Sequence, residues 1–150
     1  MDEEPVMDPG LKAGIYRAVS QEPFARALNM TLEELSLGHS VVTMVYDAGL
    51  MNNIYARAHG GALFALIDEA FETASQTHGT IAVALNVNVT YIRSPEPGER
   101  LLARADEVAA TRKTATYDIR VTDSSGDLVA TCQALAYRTG KPVIFDPPTA

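Results

Sequence analysis

The sequence predicts an α+β domain in which an antiparallel sheet wraps around one long central helix. Three observations predict it: one long helical pattern near the middle of the chain, alternating strands after it, and turn residues between those strands. The chain has 150 residues, 47% of them apolar and 21% charged, which suffices for one hydrophobic core. It shows neither a repeat nor a linker. Residues 1–150 therefore read as a single domain with a core over about 30–140, a helical preface at 1–30 and an extended tail at 141–150.

In the preface, Gly10–Ser20 is followed by Glu22-Pro23-Phe24, where Pro23 suits a first helical turn. Thr31–Tyr46 carries Leu32, Leu35, Leu37, Val41, Val42, Met44 and Tyr46, broken at Gly38-His39, and reads as two short strands or one bent hairpin. Asp47–Ala58 has little periodicity and reads as a loop. From about Gly61 to Thr77, Leu63, Leu66, Ile67, Ala70 and Ala74 recur at helical spacing, and Gly79 is a natural stop. Four strands follow: Ile81–Arg93, Arg100–Ala110, Thr114–Thr122 and Leu128–Arg138. Pro95–Gly98, Thr111–Lys113 and Asp123–Asp127 are read as the turns linking them into hairpins. Alternation in the first of these strands puts Val83, Leu85, Val87 and Val89 on one face, expected to cover the helix stripe. A sheet curled over a single helix in this way is the hotdog arrangement.

Charge and composition exclude several functions. A net charge of −7 argues against nucleic-acid binding, which needs a basic surface. Cys132 is the only cysteine, so there is neither a disulfide framework nor a cysteine zinc cluster, and its alternating surroundings suit a small buried thiol. The histidines and acids show no metal-ligand spacing, and His39 and His78 read as surface residues. The acidic start Met1–Pro5 does not resemble a signal peptide, and no apolar run reaches the ~20 residues of a membrane span. A cytoplasmic protein is expected.

The residues that carry chemistry cluster around the long helix. Ala58-His59-Gly60-Gly61 stands at its start, where backbone N–H groups lack helical partners and the dipole is positive. The glycines either open those N–H groups to a ligand oxygen, as an oxyanion hole requires, or merely allow a tight entry into the helix. Asp68 falls about 130° from the centre of the apolar stripe, at ~100° per residue, beside Phe64, Phe71 and Ser75. A carboxylate at that margin is partly desolvated, which makes it a better base or nucleophile than an ordinary solvated one. Glu69 and Glu72 fall further round and are expected to face solvent. Gly60 and Asp68 are eight residues apart, roughly 12 Å along a helix, so one helix cannot bring both to one carbonyl. Two antiparallel helices about a two-fold axis can, and the chain is expected to be at least a dimer, with a dimer of dimers as the fuller assembly.

The run Asn53-Ile-Tyr-Ala-Arg-Ala-His59-Gly60-Gly61-Ala-Leu-Phe-Ala-Leu-Ile-Asp68 resembles the signature of hotdog thioesterases of the phenylacetate-degradation (PaaI-like) type. The likeness extends through Asn88-Val-Thr-Tyr91-Ile-Arg-Ser-Pro95 and covers roughly residues 30–140. It implies hydrolysis of an acyl-CoA thioester to free acid and CoA, with coenzyme A present only as part of the substrate and no metal. It further implies that the Gly60 N–H polarises the thioester carbonyl and that Asn53 helps hold it. The partner subunit's Asp68 would act as base on a water or as nucleophile, and His59 would support Asn53 and the loop. Gly61, Phe64, Phe71 and Tyr91 would border the substrate. Arg93, Arg112 and Lys113 are candidates for the nucleotide phosphates. Where many relatives carry Ser or Thr to position the water, this chain has Ala84, and Asn86 is considered as its replacement on the same strand face. That departure keeps open a non-catalytic acyl-CoA binding or sensing protein. A hotdog dehydratase or hydratase, using His59 and Asp68, is the further alternative.

Overall fold

The computed structural model describes residues 5–145; the acidic start at 1–4 and the tail at 146–150 lie outside the described residues. The preface forms helices α1 (Pro9–Gln21) and α2 (Pro23–Ala27). Asp8 caps α1 by accepting from the Leu11 N–H at 2.7 Å, and each helix has a proline in its first turn, where no N–H is needed. Strands β1 (Thr31–Ser36) and β2 (His39–Val45) form a hairpin turned at Gly38, whose φ of 67° suits glycine. The predicted loop from Asp47 also holds a short helix α3 (Ala48–Met51), capped by the Asp47 carboxylate on the Gly49 N–H at 2.8 Å.

The central helix α4 runs Gly60–Ser75 and buries Leu63, Leu66, Ile67, Ala70, Phe71 and Ala74. Each large apolar side chain among them contributes about 1.5–3 kcal/mol by leaving water. Two polar bonds in the core fix its position along the sheet. The Ser40 hydroxyl donates to the Ala70 carbonyl at 2.6 Å, and the Gly38 N–H donates to Thr77 Oγ1 at 2.8 Å.

After α4 come β3 (Thr80–Tyr91), β4 (Arg100–Ala110), β5 (Thr114–Thr122) and β6 (Leu128–Pro142). One six-stranded antiparallel sheet results, in the order β1-β2-β4-β5-β6-β3. The expected hairpin between β3 and β4 is not formed: β3 pairs with β6 at one edge, and β4 lies between β2 and β5. Residues 92–99 cross between them, and Pro95 and Pro97 suit that crossing because proline donates no ladder hydrogen bond.

The expected packing face of β3 also needs correction. Val83 and Leu85 are 47% and 59% exposed, while Ala82 is buried and Val87 and Val89 pack on the core. The cause is a register shift against β6: Ala84 pairs with Ala136 and Asn86 with Leu135, leaving Leu85 as an extra residue. Such a bulge switches which alternate residues face inward. Ala84 consequently shares the helix-facing side with Val87 and Val89, whereas Asn86 points to the other side, beside Asn88, whose amide donates to it. Asn86 therefore does not share the face of Ala84, contrary to the expectation from simple alternation.

Candidate active site

The start of α4 is built by His59. Its Nδ1 accepts from the Gly61 N–H at 2.9 Å, making the imidazole the N-cap, while the His59 backbone N–H donates to the Met51 carbonyl at 2.7 Å. The Gly61 N–H is thereby engaged. The Gly60 N–H has no acceptor among the described residues and lies at the positive end of the helix dipole. Both glycines are also required by close approach. A Cβ on Gly60 would lie 3.2 Å from the Tyr91 hydroxyl, and one on Gly61 would lie 2.9 Å from His59 Nδ1. The pair thus serves local packing, and of its two N–H groups only that of Gly60 is left without an acceptor among the described residues.

Asn53 shapes the loop ahead of the helix. Its Oδ1 accepts from the Tyr55 and Arg57 N–H groups at 2.9 and 3.1 Å, and its backbone N–H donates to the Arg57 carbonyl at 2.7 Å. Asn53 is therefore a turn-former whose oxygen is committed and whose amide N–H₂ is its remaining donor. His59 supports the helix start directly and makes no hydrogen bond to Asn53.

The Gly60 end opens into a cleft of about 350 Å³ lined by Ala58, Gly60, Leu63, Tyr91, Ile92, Arg93 and Ser94. Arg93 is braced there by ion pairs with Asp123 and, at 3.6 Å, with Glu99. Asp68 opens into a different cleft, of about 230 Å³, with Phe71, Glu72, Ser75, Gln76, Ala82, Val83 and Ala84. Asp68 is half-buried, and that desolvation raises its pKa above the ordinary aspartate value. Phe71 beneath it is buried and meets Tyr117 edge-on at 5.4 Å. Phe64 is 37% exposed and lines neither of these two clefts.

Arg112 and Lys113 are exposed in the β4–β5 turn. Arg138 ties that turn to β6 through its Nη1, which donates to the Thr111 carbonyl at 2.9 Å, and Arg138 pairs with Ala82 in β3. Both cations thus belong to the Asp68 end of the chain, while Arg93 belongs to the Gly60 end.

The remaining expectations divide. Cys132 is buried as expected, and burial pushes its thiol up to about 11. His39 and His78 are not simple surface residues: His39 Nδ1 lies 2.6 Å from Asp106, and His78 Nε2 lies 2.7 Å from Glu107, which also accepts from the Tyr117 hydroxyl at 2.9 Å. Glu69 is not solvent-facing but 3% exposed, whereas Glu72 is exposed as expected. A helix packed against one sheet alone would leave Glu69 in solvent; here the N-terminal segment, through Glu22, covers it from the other side. Sequence reasoning also missed Leu63 and Ile92 as walls of the Gly60 cleft. Both carry a signal, since Leu63 is one turn from Gly60 and Ile92 follows Tyr91.

Comparison with known proteins agrees with this architecture. The model of the thioesterase superfamily matches residues 55–130. The acyl-coenzyme A thioesterase PaaI of Escherichia coli K12 is 32% identical over 116 residues, covering 77% of this chain and 82% of that protein. The solved structure of E. coli PaaI, from the phenylacetic acid degradation operon, superposes with a TM-score of 0.84 at 28% identity, covering 89% of this chain and 96% of the other. A Streptococcus mutans UA159 protein solved with acetyl CoA gives a TM-score of 0.72 at 30% identity, over 77% and 92% of the two chains. With a six-stranded antiparallel sheet around α4 and this pattern of relatives, the chain belongs to the thioesterase superfamily and is a homologue of the PaaI-type acyl-CoA thioesterases.

Proposed function

We propose that the protein is an acyl-CoA thioesterase whose active site is shared between two subunits. The observation that carries this reading is the separation of Gly60 and Asp68 into different clefts on one helix. Neither cleft holds both a backbone donor for a developing oxyanion and a desolvated carboxylate. Juxtaposing the Gly60 cleft of one subunit with the Asp68 cleft of another unites them. The long edge strand β3, with Val83 and Leu85 exposed, offers a surface for that pairing.

In the united site the Gly60 N–H donates to the thioester carbonyl oxygen and stabilises the negative charge that grows there, and the free Asn53 amide N–H₂ in the preceding loop is the candidate second donor. The partner subunit's Asp68 takes a proton from water as the water oxygen attacks the carbonyl carbon; a direct attack by the carboxylate is the other route. The C–S bond breaks, CoA leaves as the thiol, and the acid is released. The partner's Arg112 and Lys113 supply positive charge for the CoA phosphates, whereas the charge of Arg93 is already met by Asp123 and Glu99. The commitment of His59 to the helix cap speaks against its use as the base of a dehydratase.

Ala84 favours one second reading, acyl-CoA binding without hydrolysis. It lines the Asp68 cleft and brings no hydroxyl to position a water. Thiol release measured over a panel of acyl- and aryl-CoAs separates the two. Turnover with a measurable kcat supports the thioesterase, and saturable binding without CoA release replaces it with the binding protein.

A further inference from the structure

Glu69 follows Asp68 on α4, yet its side chain points the other way, toward the N-terminal segment. It is 3% exposed, and its Oε1 has no hydrogen-bond partner among the described residues. Glu22, the residue joining α1 to α2, meets it from one side, and Glu72 stands one turn further along α4. Carboxylate oxygens of Glu22, Glu69 and Glu72 all lie within 4.8 Å of one another. A cleft of about 260 Å³ opens beside them, with Gln21, Glu22, Glu72 and Gln76 on its polar wall and Ile15 and Val19 on its apolar one.

Like charges at this spacing need compensation, more so when one is withdrawn from water. Among the described residues no Lys, Arg or His forms an ion pair with any of the three. Burial first, then the charges of Glu22 and Glu72, push the Glu69 carboxyl up to about 8. A proton shared between two carboxylates can relieve two members of such a set. Three carboxylates converging on one point, one of them with a buried unpartnered oxygen, suit a cation better. The spacing is compatible with one ion: oxygens bonded to a Ca²⁺ at 2.3–2.6 Å can be at most about 4.6–5.2 Å apart, and the carboxylates gather within a similar limit.

We propose that Glu22, Glu69 and Glu72 form a binding site for an oxygen-ligated divalent cation, completed by water from the adjoining cleft, which pins the N-terminal helices onto α4. Glu22 and Glu69 are far apart in sequence, which is why no ligand spacing announced the site. Glu72 also lines the Asp68 cleft, so the test reads cation binding and not turnover.

The test is calorimetric titration of the full chain, stripped with chelator, with CaCl₂ and separately with MnCl₂, alongside thermal unfolding. One saturable ion per chain, a Tm raised by several degrees, and at least tenfold weaker binding in both Glu69→Gln and Glu22→Gln are expected. Glu22→Gln, at a partly exposed position, serves if Glu69→Gln does not fold. Absence of saturable binding by the stripped wild type overturns the proposal, as does binding that survives Glu22→Gln unchanged. A Tm that responds to pH but to neither cation also overturns it and assigns the cluster a shared proton instead.

Discussion

The Tyr91 hydroxyl donates to the Gly60 carbonyl at 3.0 Å, joining the end of edge strand β3 to the first residue of the central helix. This bond orients the peptide whose neighbouring N–H is the proposed oxyanion donor. Tyr91→Phe removes one hydrogen bond, worth about 0.5–1.5 kcal/mol. The expected result is a kcat lowered about 3- to 10-fold with unchanged circular dichroism. An unchanged kcat would show that the bond does not orient the donor.

Asp68→Asn keeps the shape of the side chain and removes its basicity. Turnover of acyl-CoA should fall at least about 100-fold, in line with loss of a general base, while Tm stays close to wild type. In the wild-type protein the carboxylate must be ionised to act, so activity is lost as pH falls through its pKa. Because burial raises that pKa, the acid limb of kcat/KM should lie above the value of a solvent-exposed aspartate. A pH–rate profile flat down to pH 4 contradicts the assignment.

Ala84→Thr is expected to raise kcat. The substitution places a hydroxyl in the Asp68 cleft, on the helix-facing side of β3, where it can hold the attacking water. A several-fold gain in single-turnover rate is the predicted outcome, and no gain would indicate that the water is held by another group.

Charge on the exposed edge should weaken subunit pairing. The double variant Val83→Lys, Leu85→Lys adds two cations to β3, a device that keeps edge strands apart. Sedimentation should show a dimer or tetramer for wild type and a shift toward monomer for the variant, with specific activity falling on dilution. A fully active monomer contradicts the shared site.

Cys132 should be unreactive in the folded state. Its thiol is buried and titrates near 11, so modification by a disulfide reagent at pH 8 should be slow until denaturant is added. Fast labelling of the native protein would show that β6 opens readily.

The parts of this fold that were legible in the sequence depend on local periodicity. The α4 stripe of Leu63, Leu66, Ile67, Ala70 and Ala74 is buried as its spacing predicts, and Gly38 marks the first hairpin. The partner of β3 was not legible, because adjacency in sequence favours β4 and nothing local specifies β6. The burial of Glu69 was illegible for a similar reason, since it depends on Glu22 arriving from a distant helix junction. Within the site, Gly60 and Asp68 could be singled out from helix geometry, but the His59 cap on Gly61 could not. An imidazole before two glycines can accept from the backbone or project into solvent, and only the fold selects between them.

Seven positions separate Ala84 from Tyr91, an odd number, so a regular strand would show them to opposite sides of the sheet. Leu85 is the uncounted step that restores their parity. Because of it, one strand furnishes a wall for the Asp68 cleft with Ala84 and a brace for the Gly60 helix start with Tyr91. Were Leu85 paired like its neighbours, the strand would be long enough and apolar enough to fold, yet able to serve only one end of the helix at a time.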